Sequence, residues 1–432
     1  MYIGPSGLHH VQNASHSAAG GRSGLFFIGS LKQSSVQLIR RCNRMLRSVL
    51  ISVLLCLTCM ASAQTPTPKD VDITAPDGTK LRATFFSAGK PGPGVLLLHM
   101  CNTTRKSWEP VAKGLSDAGI NALTIDNRGF GESGGPRFEG GTPEVRQQLL
   151  QKWPEDFEAA YQFLTAQSGV DKERLAFGGG SCGVTNAVAL AERQPEVKAL
   201  VLLAGTADVK GINFIAEHPE RPIFTAAAAD DEYNGDAVQV MQWTADLSGN
   251  PRSKFSGFKD GRHGTEIFGP HPELVGQIVE FFTDTLITSP VNLKARVAAR
   301  KTPAREFWSL ASQPGGASRA TEFYRQKRKT DPGAYIFPEF AVNLLGYARL
   351  QDHQTAEAIE LFKLNTEAYP ASANTQDSLS DGYLAEGQND LALAAEKKCL
   401  DLLPADPNDA DYKARLSKAA NEKIAKLTAE KK

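Results

Sequence analysis

A glycine-rich turn in the middle of the chain constrains the fold more than any other feature. An apolar run ending at Phe177 leads into Gly178-Gly179-Gly180-Ser181-Cys182-Gly183, and an alanine-rich segment of helical character follows. The pattern predicts a strand, a sharp turn that carries Ser181, and a helix. The residues two before and two after the serine must be small, because larger side chains would collide across the turn. This G-x-S-x-G spacing is typical of a nucleophilic serine.

Other interpretations of the same turn stay open. Gly178 to Gly183 also satisfies the G-x-G-x-x-G spacing of a dinucleotide-binding turn, and Glu196 lies where its acidic residue is expected. A long stretch of patterned chain precedes the turn, which favours a central strand over the first strand of a nucleotide domain. Shifted by one residue, the turn presents Cys182 as nucleophile. Val184 then occupies a position that requires a small residue, so the arrangement favours Ser181.

Strands and helices alternate on both sides of this turn, which indicates a parallel sheet covered on both faces. A Pro-Asp-Gly turn at 76–78 predicts a hairpin before the first buried strand. The spacing predicts strands at 71–73, 80–86, 95–99, 121–125, 175–180, 197–203, 222–227 and 255–258, and helices at 108–118, 156–166 and 272–286. The Gly-rich start of 138–154 indicates a loop, and the edge of the sheet is expected to be either open or covered by it.

Residues 70–288 resemble the α/β-hydrolase family. His99 ends one strand, the loop Asp126-Asn127-Arg128-Gly129-Phe130-Gly131-Glu132-Ser133 ends the next, and an acid and a histidine follow the Ser181 turn. The presence of Cys182 in the turn resembles the dienelactone-hydrolase branch of the family, which has a cysteine as nucleophile in the same strand-to-helix turn. The resemblance implies an α/β fold, with a mostly parallel sheet between helices, and a serine hydrolase. The resemblance also implies that Arg128 has a structural role and attaches its loop to the sheet.

The resemblance also implies a catalytic triad in the chain order serine, acid, histidine. Ser181 is the expected nucleophile. Asp231 is the expected acid, with Asp230 as the alternative, because both directly follow a predicted strand. His263 is the expected base, since it lies in a glycine-flanked loop after a later strand, whereas His271 borders the last helix.

Two main-chain N–H groups are expected to stabilise the oxyanion that forms when a serine attacks a carbonyl. One belongs to Cys182, at the N-terminus of the helix that follows the turn. The other comes from the segment His99-Met100-Cys101, where the family carries His-Gly. We predict Met100 as the second donor, with Cys101 as the alternative.

The N-terminal region predicts export. Residues 1–63 comprise a polar, Gly- and Ser-rich extension, a basic flank, a short apolar segment and Ala61-Ser62-Ala63, the pattern of a signal peptide. Cleavage after Ala63 would start the mature chain at Gln64, with no stable membrane span. Three cysteines then remain, Cys101, Cys182 and Cys399, and this odd number does not indicate a disulfide scaffold. Whether the first two pair is left open.

Residues 306–432 are predicted to form a second, all-helical domain after a basic linker. Two segments repeat at a spacing of about 34 residues, which resembles the tetratricopeptide pattern. The matching positions are Leu345, Gly346, Ala358, Phe362 and Pro370 in one repeat, and Leu379, Tyr383, Gly387, Ala392 and Pro404 in the next. Such a stack either binds a protein partner or packs against the hydrolase-like part.

The sequence therefore predicts an exported serine hydrolase that cleaves an ester or related acyl bond of a small molecule. The alternative is a catalytically decayed hydrolase that serves as scaffold for interactions through its repeats. The formal net charge is zero, which gives no electrostatic footprint for nucleic acid. No cofactor and no metal are expected, because the triad chemistry requires neither.

Overall fold

The computed structural model describes residues 67–233, 235–406, 408 and 410–429, which belong to one compact unit. The predicted signal peptide and its cleavage site lie outside the described residues. Within the described part of the chain, no helix is both long enough and apolar enough to cross a lipid bilayer.

The described strands form one eight-stranded sheet, ordered β1-β2-β4-β3-β5-β6-β7-β8. The strands β1 and β2 form the predicted hairpin, β2 runs antiparallel to β4, and all later pairings are parallel. The strands are β1 Lys69–Thr74, β2 Lys80–Phe86, β3 Gly92–Leu98, β4 Asn121–Ile125, β5 Val170–Gly180, β6 Val197–Leu203, β7 Ile223–Ala228 and β8 Lys254–Phe258. The strands β3 and β5 are adjacent at the sheet centre.

Helices cover both faces of this sheet. Apolar side chains of α1 and α6 pack on one face, and those of α2 to α5 pack on the other. The helices are α1 Glu109–Asp117, α2 Pro143–Ala166, α3 Cys182–Arg193, α4 Val209–Glu217, α5 Ala237–Ser248 and α6 Glu273–Thr283. The predicted α/β architecture is confirmed.

The predicted loop over 138–154 is wrong for most of its length, because α2 begins at Pro143. Proline suits the first turn of a helix, and the Thr142 hydroxyl accepts a hydrogen bond from the N–H of Val145 as the N-cap. Pro154, the last residue of that expected loop, lies inside α2. The buried ring of Trp153 packs against Phe157 and Phe138, and this packing supports the helix through the proline.

All regular elements described after residue 300 are helices. The helices are α7 Pro303–Ala311, α8 Ala317–Thr330, α9 Glu339–Gln351, α10 Thr355–Ala368, α11 Ala373–Ala385, α12 Asn389–Leu402 and α13 Ala410–Ala429. The helices α9 and α11 begin 34 residues apart, at Glu339 and Ala373, and α8 and α13 flank the four helices α9 to α12. The predicted boundary at 306 falls inside α7, which begins at Pro303.

The helical part shares a hydrophobic core with the sheet. Trp243 of α5 packs edge-on against Trp308 of α7, with ring centroids 6.0 Å apart. The indole N–H of Trp243 donates to the carbonyl of Ile336 at 3.0 Å, and that of Trp308 donates to Asn213 Oδ1 at 2.8 Å. The stack of helices is therefore anchored on α4 and α5.

Candidate active site

Ser181 lies on the strained turn between β5 and α3. Its φ of 52° and ψ of −122° are unfavourable for a residue with a side chain, as the G-x-S-x-G pattern predicts. A Cβ on Gly179 would overlap the carbonyl of Gly183, and one on Gly183 would overlap the carbonyl of Leu98. The two glycines thus allow the turn to form against the end of β3.

Asp231 and His263 form a hydrogen-bonded pair at the same edge of the sheet. Asp231 follows β7, His263 follows β8, and Asp231 Oδ2 lies 2.7 Å from His263 Nδ1. Both side chains are buried, and Asp231 Oδ1 also accepts the N–H of Tyr233 at 2.9 Å. With the proton on Nδ1, the second ring nitrogen of His263 is a proton acceptor.

The alternatives for acid and base are placed elsewhere. The exposed carboxylate of Asp230 accepts the N–H of Arg262 at 2.8 Å, a bond that holds the pKa of Asp230 below its usual range. His271 contacts Asp260 at 2.8 Å and Glu273 at 3.1 Å, and these carboxylates raise the pKa of His271. The structure therefore brings Asp231, and not Asp230, to His263.

Ser181 and His263 line one pocket with a volume of about 820 Å³. Aromatic rings and two guanidinium groups form much of its wall. Tyr233 is 65% exposed and packs edge-on against His263, at a centroid distance of 4.7 Å. The lining residues used below are Cys101, Phe130, Arg137, Phe138, Arg146 and Tyr233. The pocket can hold an acyl group with an apolar or aromatic part beside the serine.

The two oxyanion candidates after β3 differ in position. Met100 is fully buried, and its thioether sulfur accepts the N–H of Thr265 at 3.3 Å. Cys101 lines the pocket beside Ser181. Cys182 is the first residue of α3, where a main-chain N–H has no partner within the helix. Position in the pocket thus favours Cys101 over Met100 as the second donor.

Cys101 and Cys182 form a disulfide, with Cα atoms 5.9 Å apart. The sequence left this pairing open. A disulfide sulfur carries no thiolate, so the bonded Cys182 is unsuited to act as nucleophile. The dinucleotide interpretation also fits poorly, because the turn follows the fifth strand and Glu196 binds the Tyr161 hydroxyl.

His99 supports the segment that carries Met100 and Cys101. Its Nε2 accepts the main-chain N–H of Asn127 at 2.9 Å, which places the ring proton on Nδ1. Nδ1 then donates to the carbonyl of Met100 at 2.6 Å. Complete burial lowers the pKa of His99 to about 4 and keeps the ring neutral.

The loop after β4 is held by two buried arginines. Arg128 donates to Asp156 and Asp77, which supports the predicted structural role of Arg128. Arg105 donates to Asp126 at 2.6 Å and to Glu132 at 2.9 Å. These ion pairs fix the loop that supplies Phe130 to the pocket.

A second cluster of ligand-type side chains lies in the C-terminal helices. Within the described residues, Asp377, Glu396 and Cys399 place their ligand atoms within 4.8 Å of one another. The ammonium group of Lys423 contacts Asp377 at 2.9 Å and Glu396 at 3.0 Å. A cation is thus already built into the cluster, which makes it an internal ion-pair network between α11, α12 and α13.

Sequence analysis missed several parts of the pocket wall. Tyr233 follows Asp231 by two residues, and its ring covers His263, but nothing in the local pattern indicates that contact. Arg146 lies within the segment 138–154 that was expected to cover the site, but on α2 rather than on a loop, and Arg137 precedes that segment.

Residues 93–237 match the model of the α/β-hydrolase fold family. The chain has the α/β-hydrolase fold, with a mostly parallel sheet and a helical C-terminal part. It is 33% identical to an uncharacterised protein of Mycobacterium tuberculosis over 144 residues, which cover 33% of this chain and 47% of that protein.

It is also 32% identical to the thiohydrolase apmlB of Arthrinium phaeospermum over 163 residues, 38% of this chain and 50% of that one. The chain spans about half the length of these curated relatives. Among solved structures, the esterase Pf2001 of Pyrococcus furiosus superposes with a TM-score of 0.40 at 21% identity, covering 51% of this chain and 93% of that one.

Proposed function

We propose that the protein is an exported serine hydrolase that cleaves an ester or related acyl bond through a covalent acyl-enzyme. The observation that carries the proposal is the buried pair of Asp231 and His263, whose histidine lines the same pocket as Ser181. Serine, acid and histidine each follow a strand at one sheet edge, in the chain order that the fold uses.

The proposed reaction has two halves. His263 takes the proton of the Ser181 hydroxyl as the oxygen attacks the carbonyl, and it then protonates the leaving alcohol or thiol. Asp231 holds the ring tautomer and stabilises its charged form. The N–H groups of Cys182 and Cys101 stabilise the oxyanion, and water then releases the acid by the reverse steps.

The acyl substrate is proposed from the pocket and one relative. The lining combines the rings of Phe130, Phe138 and Tyr233 with polar groups, which suits a small acyl compound. The similarity to a thiohydrolase extends the proposed class from oxygen esters to thioesters. Carboxylic ester hydrolysis is the activity to assay first.

The helical repeats are proposed to be tetratricopeptide-like. Gly346 supports this, because a Cβ there would overlap the ring of Phe362 on the paired helix. The alternative function, a decayed hydrolase serving as scaffold, is favoured by one feature, the replacement of the usual His-Gly segment by His99-Met100. The filled triad positions favour the enzyme.

A fluorophosphonate probe tests the proposed nucleophile. The mature protein should be labelled once, at Ser181, and Ser181→Ala should abolish labelling and ester turnover. Ser309→Ala, at an exposed helical serine remote in sequence from the triad, is the matched control and should retain both. Labelling at another residue, or a fully active Ser181→Ala variant, would refute the proposal. An N-terminus at Gln64 in envelope material would support export.

A further inference from the structure

The disulfide joins the two residues whose main-chain N–H groups are proposed to stabilise the oxyanion. Cys101 lies shortly after β3, and Cys182 begins α3 after β5. The two strands are neighbours, with Leu98 paired to Gly179. The covalent bond therefore joins the segments that follow β3 and β5, next to Ser181.

In the disulfide-bonded structure, the peptide between Met100 and Cys101 has a defined orientation. Its carbonyl accepts the Nδ1 proton of His99 at 2.6 Å. In a planar trans peptide the N–H points opposite to the carbonyl, so the N–H of Cys101 points away from His99. Because Cys101 also lines the pocket, this orientation suits a donor to the reacting oxygen.

Apart from the disulfide, the loop after Cys101 has modest restraints. The hydrogen bonds of Asn102 and Thr103 are all 3.3–3.5 Å long, and the next short one runs from the N–H of Arg105 to Asp126 at 2.7 Å. The N–H of Cys182, by contrast, is fixed by α3. The disulfide therefore holds the loop donor at a fixed position relative to α3.

We propose that the Cys101–Cys182 disulfide positions the oxyanion hole and makes turnover depend on the oxidised state of this bond. Donors that are aligned in advance stabilise the transition state without the cost of reorganisation. Reduction by a dithiol breaks the S–S bond, forms two protein thiols and converts the dithiol to its cyclic disulfide. The loop donor then moves relative to the donor on α3. The inference rests on the proposed serine hydrolase function.

Serine substitutions test this role, because they keep the side-chain size and the main-chain N–H. Cys101→Ser, Cys182→Ser and the double variant should each lower kcat for a small aryl ester by about 10-fold or more, with KM changed by less than about 3-fold. Loss of a whole oxyanion donor costs about 10²–10³ in kcat, which sets the upper limit. The three losses should be equal, since each variant lacks the same bond.

Reduction of the unsubstituted protein provides the second arm. Dithiothreitol should lower kcat by the same factor, reoxidation should restore it, and the double variant should not respond. Cys399→Ala is the matched control, because this buried cysteine lies outside the disulfide, and this variant should keep both its kcat and its response to the dithiol. A boronic acid that forms a tetrahedral adduct should bind the reduced protein more weakly by the same factor as kcat falls.

The outcomes separate this inference from the proposed function. A double variant that keeps its kcat and boronate affinity, but unfolds at lower urea concentration, would show a purely structural disulfide and overturn the inference. In that case an inactive Ser181→Ala variant would leave the proposed function standing. An active Ser181→Ala variant would refute both the proposed function and this inference.

Discussion

At the scale of single residues, neighbouring side chains of the same type have different environments. Asp231 is buried on His263 and also accepts the N–H of Tyr233, whereas Asp230 is exposed and binds the main chain of Arg262. A carboxylate that contacts Nδ1 can fix the tautomer of the imidazole, and of these two aspartates Asp231 makes that contact. The sequence placed both aspartates after β7 but left their roles open, because the direction of a side chain depends on the fold of the loop.

This difference predicts a large loss of turnover in one of two matched variants and a small loss in the other. Asp231→Asn should lower kcat by about 10³–10⁴, because an amide no longer stabilises the charged ring of His263. Asp230→Asn should change kcat by no more than a few-fold. Steady-state kinetics on one ester, with circular dichroism to verify folding, provides the measurement. Equal losses in the two variants would contradict the assignment of Asp231.

His99 predicts a pH dependence of stability. Its pKa of about 4 in the folded protein lies below the ordinary value of 6.5. As the pH falls below 6.5, His99 becomes protonated in the unfolded chain, but in the folded chain it stays neutral until about pH 4. Acid therefore favours unfolding across this window, by about 3 kcal/mol in total.

Urea unfolding at several pH values between 4 and 7.5 measures this contribution. His99→Gln should remove it and flatten the slope of unfolding free energy against pH, even where the variant is less stable overall. An unaltered slope in His99→Gln would contradict the neutral, buried state of this ring.

At the scale of elements, the sequence predicts what depends on local pattern and misses what depends on packing. The turn at Ser181, the hairpin β1–β2 and the buried strands follow from glycine positions and apolar runs. The start of α2 and its passage through Pro154 depend on Trp153 packing against Phe138 and Phe157, contacts that only the folded chain provides. The disulfide likewise depends on β3 and β5 being adjacent.

Because the Ser181 turn is closely packed, adding a single methyl group at Gly183 is expected to disturb both stability and turnover. Gly183→Ala should destabilise the protein by about 1–3 kcal/mol and abolish most turnover, because the added Cβ overlaps the carbonyl of Leu98 and displaces α3 from β3. Gly276→Ala, inside α6 with open space around it, should be neutral or stabilising. Thermal unfolding and ester turnover of both variants check this, and a fully active Gly183→Ala variant would contradict it.

At the scale of the whole molecule, the hydrolase-fold part and the C-terminal helices share one hydrophobic core. The sequence predicted two domains because the strand pattern ends before residue 290, and this division stays a prediction about independent folding. Trp243, Trp308 and Phe340 pack between the sheet-covering helices and the helical stack. Indole hydrogen bonds to Ile336 and Asn213 cross the same boundary. We expect the two parts to stabilise each other.

A core tryptophan tests this coupling. Trp308→Ala should lower the free energy of unfolding by about 3–5 kcal/mol, the usual cost of removing a buried aromatic side chain. A calorimetric scan should show the loss in one cooperative transition that includes the sheet. Leu391→Ala, at an exposed leucine of α12, should change stability by no more than about 0.5 kcal/mol. Two separate transitions, with only one shifted, would instead indicate independent domains.

Mass spectrometry of an acid-quenched reaction can detect the acyl-enzyme that Ser181 is proposed to form. The protein is mixed with excess 4-nitrophenyl acetate, quenched within the first turnovers and digested. The account predicts one acetyl group on the peptide that carries Ser181, at the serine itself, and no adduct in Ser181→Ala. An acetyl group on Cys182, or turnover without any adduct that depends on Ser181, would contradict it.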